Sequence, residues 1–353
     1  MQASRVSESV DLRQLPPLEV IFGSSPKMAS AKEILHRVAS TNVPVLLEGE
    51  SGTGKEIFAK LVHAYSDRAN SPWVKVTCPA IPQSLVESEL FGYEKGAFTG
   101  ASSSKRGRVE SGHMGTLFLD EIDSLDLSVQ VKLLQLLQDG SFMRVGGQES
   151  RRVDTRLISA ARGNLRKQAA DGSFRRDLFF RINAVTIEMP PLRQRLEDLP
   201  VLIEYFLDLH SRVFNRDAKP LSRDLVHVMQ CYAWPGNIRQ LENMIRSYVL
   251  IGNEEALAAD LIPIAPSALD NAIDLSNPIS LKQVTKNAMQ HLERQLILKV
   301  LQANSWNRRK TATWLNISYR SLLYKLQEAQ ADEFYRTMPR KKAPASAFDR
   351  SLN

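Results

Sequence analysis

The chain has only two cysteines in 353 residues, Cys78 and Cys231. Two thiols cannot build a disulfide framework or a zinc site of thiolates, so a stapled secreted domain and a zinc module are both excluded. They read as reduced thiols of a cytoplasmic protein. Long apolar runs are missing too: none approaches the roughly 18 residues needed to span a bilayer. The N-terminus, MQASRVSESV, lacks the apolar segment of a secretory signal. No internal repeat is visible. What is present is ordinary, 43% hydrophobic and 24% charged residues, which excludes wholesale disorder and collagen-like structure. At about 100–200 residues per domain, the length suits two or three domains.

The formal charge of +7 is placed unevenly. Residues 281–353 hold 14 Lys and Arg against 5 Asp and Glu, while residues 1–280 hold 32 against 34. A basic C-terminal fifth on a near-neutral body points to an appended nucleic-acid-binding module.

Apolar runs and helical patterns alternate through the first half. Strands are expected at Pro44–Glu48, Val74–Thr77, Thr116–Asp120, Thr155–Ala160 and Val185–Glu188, with helices between them at Lys55–Tyr65 and Ser128–Gln138. That alternation predicts an α/β fold, a parallel sheet with helices on both faces. After Pro190-Pro191 only helical periodicity remains, at 194–213, 221–231 and 236–251. The expected organisation is a leader over 1–17, an α/β unit over 18–190, a helical lid over 191–252, a linker over 253–280, an all-α module over 281–330 and a basic tail over 331–353.

Gly49-Glu50-Ser51-Gly52-Thr53-Gly54-Lys55-Glu56 follows the apolar run VPVLLE and opens a helix. This is a P-loop in its strand–loop–helix setting: backbone N–H groups and the helix N-terminus cradle phosphates, and Lys55 adds a full charge. Glu56 stands where the generic motif has a Ser or Thr for magnesium. Thr116-Leu-Phe-Leu-Asp120-Glu121 has the form of a Walker B strand, in which Asp120 faces magnesium and Glu121 orients and deprotonates the attacking water. An ATPase with ATP and Mg2+ as cofactors is the expectation.

Glu89-Leu-Phe-Gly-Tyr-Glu-Lys-Gly96-Ala97-Phe98-Thr99-Gly100-Ala101 contains the hexapeptide GAFTGA, and GESGTGKE carries Glu in the last P-loop position. Both resemble NtrC-type bacterial enhancer-binding proteins, the AAA+ activators of sigma-54 RNA polymerase, over about residues 18–330. The resemblance implies a hexameric ring with ATP between subunits, and a mobile loop (Gly96, Ala97, Phe98, Thr99, Gly100 and Ala101) that touches sigma-54. It implies trans-acting arginine fingers at Arg175 and Arg181 in FRRDLFFR, leaving Arg176 to surface ion pairing. It places a sensor arginine at Arg239 in WPGNIR and a second pore loop at Arg144-Val145-Gly146-Gly147. Two positions depart from the family: Thr77 aligns with the Asn switch that restrains the Walker B Glu, and Ala160-Ala161-Arg162 replaces Ala-Thr-Asn or Ala-Thr-His.

Near the C-terminus, helical patterns are expected at His291–Ala303, Arg309–Leu315 and, capped by Ser318, at Tyr319–Gln330, with Asn316-Ile317-Ser318 as the turn. This is helix-turn-helix spacing, with the later helix in the major groove. NRRKTATWLNISYRSLLYKL resembles the Fis-type domain of the same activators, which implies a dimeric reader of near-palindromic double-stranded DNA. Ser318, Tyr319, Arg320, Ser321 and Tyr324 are candidates to read bases; Arg308, Arg309, Lys310 and Lys325 are candidates to hold phosphates.

The expected function is activation of sigma-54 polymerase from an upstream DNA site at the expense of ATP. The alternative is a DNA-binding regulator that keeps an ATP pocket but works without sigma-54, such as a repressor.

Overall fold

A computed structural model describes residues 12, 15–261, 297, 300, 301 and 308–322. The chain divides into two units, Met1–Ile262 and Pro263–Asn353.

The first unit begins with helices α1 (Leu18–Phe22) and α2 (Pro26–Ala39), followed by strand β1 (Val45–Glu48) and α3 (Lys55–Ala64). Then come β2 (Trp73–Thr77), α4 (Gln83–Phe91), β3 (Gly92–Tyr93), β4 (Lys105–Arg106), α5 (Arg108–Ser111) and β5 (Thr116–Asp120). They are followed by α6 (Leu127–Asp139), the pair β6 (Ser141–Met143) and β7 (Ser150–Arg152), and β8 (Arg156–Ala161). Two short helices, α7 (Leu165–Asp171) and α8 (Arg176–Ile182), lead to β9 (Val185–Glu188).

Five strands form one parallel sheet in the order β2-β5-β8-β1-β9. Their side chains alternate between two cores. Leu46, Leu117, Leu119 and Leu157 point to one face, against Leu133 of α6 and Leu178 of α8. Val45, Leu47, Phe118, Ile158 and Ile187 point to the other, against Leu35 of α2 and Phe58 of α3. Each fully buried Leu or Ile contributes about 1.5–3 kcal/mol over an exposed one, which is what holds the helices on both faces. Even Arg156, the first residue of β8, is buried; it donates to the carbonyls of Val38 and Ala39 at the end of α2, both at 2.7 Å.

The register fixes the site. Thr77 lies opposite Asp120, Asp120 opposite Ala160, and Glu48 opposite Ala161, so the carboxyl ends of four strands form one rim. Ligands of open α/β sheets bind at such a rim.

The lid consists of α9 (Leu199–Phe214), α10 (Arg223–Cys231), α11 (Asn237–Ile251) and α12 (Glu254–Leu261) around a core that includes Phe206, Met229, Trp234, Leu241 and Ile245. Here the expected boundary is corrected. The linker expected from 253 starts later, because Leu257 and Leu261, four residues apart on one face of α12, are buried in the lid core.

In the second unit α13 (Arg308–Trp314) is followed by Asn316 at φ +52° and by helical residues 319–322. Ile297, Leu301, Ala312 and Leu322 bury together. The rest of the helix expected over His291–Ala303, the end of the one expected over Tyr319–Gln330, Tyr324 and Lys325 all lie outside the described residues.

Candidate functional site

β1 ends at Glu48, and the chain turns through Gly49, Gly52 (φ +79°) and Gly54 (φ +97°) into α3. The turn is tight on both sides. A Cβ on Gly49 would lie 2.6 Å from the carbonyl oxygen of Met189, and one on Gly52 would lie 2.4 Å from that of Gly236 in the lid. Only glycine lets the backbone pass here. Thr53 Oγ1 donates to the Glu50 carbonyl at 2.9 Å and closes the turn.

Lys55 opens α3 almost wholly buried, its Nζ donating to the carbonyls of Gly49 (2.6 Å) and Glu50 (2.9 Å). Burial lowers its pKa, and the nearby Asp120, Glu121 and Asp123 pull it back up. Burial also raises the pKa of Asp120, with the Lys75 charge opposing. Glu56 does not face Asp120 as a free acid: its carboxylate is bonded to Lys75 (2.6 Å) and Lys60 (3.1 Å). Glu121 takes up φ +59° directly after β5, and its carboxylate pairs with Arg162 at 2.5 Å. No hydrogen bond joins Thr77 to Glu121 among the described residues, where the ion-pair partner of Glu121 is Arg162, the residue after β8. A one-residue offset at the strand ends decides this, since Thr77 is opposite Asp120 rather than Glu121.

The lid closes over the loop through polar contacts. Asn237, fully buried with φ +52°, donates to Glu50 Oε2 (3.1 Å) and the Ser51 carbonyl (3.0 Å), and accepts from the Leu192 N–H. Arg239 donates to Ser51 Oγ at 2.9 Å, and Ile238 N–H to the Gly52 carbonyl at 3.0 Å. Arg193 grips the Glu50 carboxylate at 2.5 and 2.8 Å. Its hydrogen bonds, with that from Asn237, hold the Glu50 carboxyl down at about 2. A cavity of about 700 Å³ runs beside this loop, lined by Glu48, Gly49, Glu50, Arg162, Asn164 and Met189 among others.

The paired arginines stand apart. Arg175 is bonded to Asp177 (2.6 and 3.0 Å), and Arg181 donates to the Leu137 carbonyl (2.7 and 3.1 Å). Neither has a hydrogen bond or ion pair to Lys55, Asp120 or Glu121 of the same chain. Arg176 is not the surface ion pair expected of it; it donates to the carbonyls of Ala169 and Ala170 and so caps α7.

Residues 94–104 form a loop between β3 and β4. Gly96 (φ +85°) and Gly100 (φ +106°) have open space where a Cβ would stand, so their glycines serve backbone freedom, not packing. Phe98 is 42% exposed and rests edge-on against Tyr93 at 5.0 Å, while Ala101 is buried. The loop base is joined to residues 144–147: Glu94 N–H donates to the Val145 carbonyl and Val145 N–H to that of Gly92. Arg144, buried, donates to Glu94 (3.0 Å) and to both oxygens of Glu110 (2.7 and 2.8 Å).

In the second unit, Ser318 Oγ accepts from the Ser321 N–H at 3.0 Å, capping the helix that follows the turn. Tyr319 on its first turn is 43% exposed, and Arg320 and Ser321 are exposed beside it or partly so. Arg308, Arg309 and Lys310 are consecutive on α13.

Three family models match the chain in succession: the sigma-54 interaction domain over residues 21–188, the AAA+ ATPase lid domain over 193–277, and the bacterial regulatory protein, Fis family, over 288–328. The regulatory protein AtoC of Escherichia coli (strain K12) is 40% identical over 313 residues, covering 88% of this chain and 68% of that protein. The chain belongs to the sigma-54-dependent transcriptional activators. The DNA-binding transcriptional regulator NtrC of Klebsiella pneumoniae is 38% identical over 334 residues, covering 88% of this chain and 70% of that one. Among solved structures, NtrX from Brucella abortus in complex with ADP matches with a TM-score of 0.63 at 33% identity, over 87% of this chain and 68% of that one. The same protein in complex with ATP matches at 0.62 and 32%, with the same coverage. This sigma-54 activator is an AAA+ ATPase with a DNA-binding helix-turn-helix. No helix among its described residues is long and apolar enough to cross a membrane.

Sequence reasoning missed three residues that the structure brings to the phosphate loop and to Glu121: Arg193, Asn237 and, as the partner of Glu121, Arg162. Asn237 was in plain view within WPGNIR, but its contacts to Glu50 and Ser51 span 187 and 186 residues. No local pattern carries them.

Proposed function

We propose that ATP seats its phosphates on the backbone of Gly49–Lys55, with Ser51 and Thr53 shaping the loop, Lys55 neutralising the terminal phosphates and Arg239 reaching in from the lid. The collapsed Lys55, bonded only to loop carbonyls, supports this: a buried ammonium without a carboxylate partner is set to exchange those carbonyls for phosphate oxygens. The donor set also suits Mg2+, which takes one or two carboxylates and leaves its other positions to phosphates and water. Asp120 is the carboxylate for it, Glu56 being engaged by two lysines. When bound there, Mg2+ would neutralise charge on the phosphate oxygens. Glu121 accepts the proton of the water whose oxygen attacks the terminal phosphorus, and the bond to the ADP oxygen breaks.

Arg175 and Arg181 act in trans, completing the site of a neighbouring subunit in a homo-oligomeric ring. Arg175 at the N-cap of α8 and exposed Arg181 within it make their bonds to Asp177 and Leu137 and none to Lys55, Asp120 or Glu121 of their own chain, which supports this role. Phe98 and Thr99 present the contact to sigma-54, and the hinge glycines Gly96 and Gly100 let the loop move. Arg308, Arg309 and Lys310 hold DNA phosphates while Ser318, Tyr319, Arg320, Ser321 and Tyr324 face the bases. The upstream site thereby raises the local concentration of the ATPase at the promoter.

The single observation that carries the reading is the join of the 94–104 loop to residues 144–147, one frame that ties the contact loop to the ATPase body. Lys55→Ala tests the motor end: nucleotide binding, read by equilibrium titration, should weaken at least about tenfold, the effect of losing one charge-assisted phosphate contact of 1.4 kcal/mol or more. Unchanged binding and hydrolysis would reject the site.

A further inference from the structure

Arg195 is a buried charge that the chemistry above leaves unused. It stands at the entry to the lid, between the single-turn helices Leu192–Gln194 and Leu196–Asp198, and is 1% exposed. Its guanidinium makes no ion pair among the described residues and donates one hydrogen bond, from Nη2 to the Thr53 carbonyl at 3.1 Å. Nε is buried without a partner. Asp198, the acid whose charge it feels, is already engaged by the N–H groups of Ser24 (2.7 Å) and Ser25 (3.0 Å) and by the Ser25 hydroxyl (3.0 Å). Burial accordingly lowers the Arg195 pKa, with Asp198 opposing. A buried cation so poorly compensated costs stability, and an apolar side chain in its place is often neutral or stabilising.

The phosphate loop shows what the cation does. Every carbonyl from Gly49 to Gly54 has a donor. Lys55 Nζ serves those of Gly49 and Glu50, and the Phe58 N–H serves that of Gly54 in the first turn of α3. The three between are held from the lid: Ser51 by Asn237 Nδ2 (3.0 Å), Gly52 by the Ile238 N–H (3.0 Å) and Thr53 by Arg195. The peptide bonds are trans, so each carbonyl points opposite to the N–H that follows it. Holding these three carbonyls outward therefore turns the N–H groups of Gly52, Thr53 and Gly54 to the inner side of the loop. None of the three donates to another described residue, which leaves them for an anion. Of the three lid side chains and N–H groups that do this, only Arg195 is charged. Its charge polarises the Thr53–Gly54 peptide unit in surroundings where electrostatic effects are stronger than in water.

We propose that Arg195 is a positioning residue for the polyphosphate, fixing the Thr53–Gly54 peptide so that the Gly54 N–H faces the phosphates and adding its buried charge behind them. This role rests on the phosphates seating on Gly49–Lys55, and the two are separable by experiment. On the full chain, affinities for ATP, ADP and inorganic tripolyphosphate are measured by equilibrium titration for Arg195→Met, Arg195→Lys and Lys55→Ala. Thermal midpoints without nucleotide are measured beside them. Arg195→Met is expected to weaken all three ligands by a similar factor, about tenfold, and Arg195→Lys to recover most of the loss. The midpoint of Arg195→Met should lie at or above that of wild type. Affinities unchanged in Arg195→Met but weakened in Lys55→Ala would overturn the role of Arg195 and leave the phosphate seat standing. Unchanged binding in Lys55→Ala would overturn both. A loss confined to ATP and ADP, with tripolyphosphate spared, would make Arg195 a determinant of the nucleoside and overturn the proposal. A lowered midpoint in Arg195→Met would make it a support of the fold, with the same consequence.

Discussion

Glu50 and His63 show how single side chains set the conditions under which the motor works. Glu50 is clamped by Arg193 and Asn237, whose hydrogen bonds hold its carboxyl down at about 2, so it stays ionised at neutral pH. His63 behaves oppositely. It is buried, bonded to Thr116 Oγ1 at 2.8 Å and tilted at 53° against the ring of Trp73, and burial pushes its pKa down to about 4. The unfolded chain therefore binds a proton at His63 below about 6.5 that the folded chain refuses until about 4, and stability must fall as pH drops through that window. The loss should approach about 3 kcal/mol near pH 4, from 1.36 kcal/mol per unit of pKa. Urea midpoints measured between pH 7 and 4 should show it, and His63→Gln should flatten the slope. Asp120, whose pKa burial raises, takes up its proton earlier in the folded state and tilts the same curve the other way at pH values above the ordinary 3.8 of an Asp.

At the scale of elements, the strands and the lid contacts mark the two ends of legibility. Thr116–Asp120 and Val185–Glu188 were expected at those bounds and are found there: the first is an apolar run buried on both faces and stopped by acids, the second a half-buried β-branched edge strand stopped before a proline pair. The P-loop was readable because phosphate binding demands glycine at fixed spacings, and the GAFTGA hexapeptide because it resembles a family signature. The β6–β7 pair was not, since its arms, SFM and SRR, have no apolar alternation. The helix at Glu254–Leu261 hid among prolines that follow it. The pairing of Glu121 with Arg162 was not readable, because strand register, which only the assembled sheet fixes, sets Thr77 beside Asp120 and brings the end of β8 near Glu121. The 94–104 loop gives the prediction for this scale. Thr99→Ala should leave ATP hydrolysis within about twofold of wild type, since nothing in the loop touches the phosphate site, and should abolish open-complex formation. A variant that still opens promoters would remove Thr99 from the contact.

Across the molecule, the uneven charge of the sequence acquires a meaning. Residues 1–280, with 32 basic and 34 acidic side chains, make a motor with no general attraction to DNA. The basic C-terminal part holds the helix-turn-helix, so motor and address are carried by separate units. Deleting 281–353 should erase a footprint on specific DNA while basal ATP hydrolysis persists; a footprint that survives would relocate the DNA site. The central claim is that ATP turnover in this chain opens promoters held by sigma-54 polymerase. Its most direct measurement is open-complex formation on a sigma-54 promoter in vitro, with the full chain, with and without ATP. Melted promoter DNA should appear only when chain, sigma-54 holoenzyme and hydrolysable ATP are all present. Melting without ATP, or its absence when all three are supplied, would contradict the account.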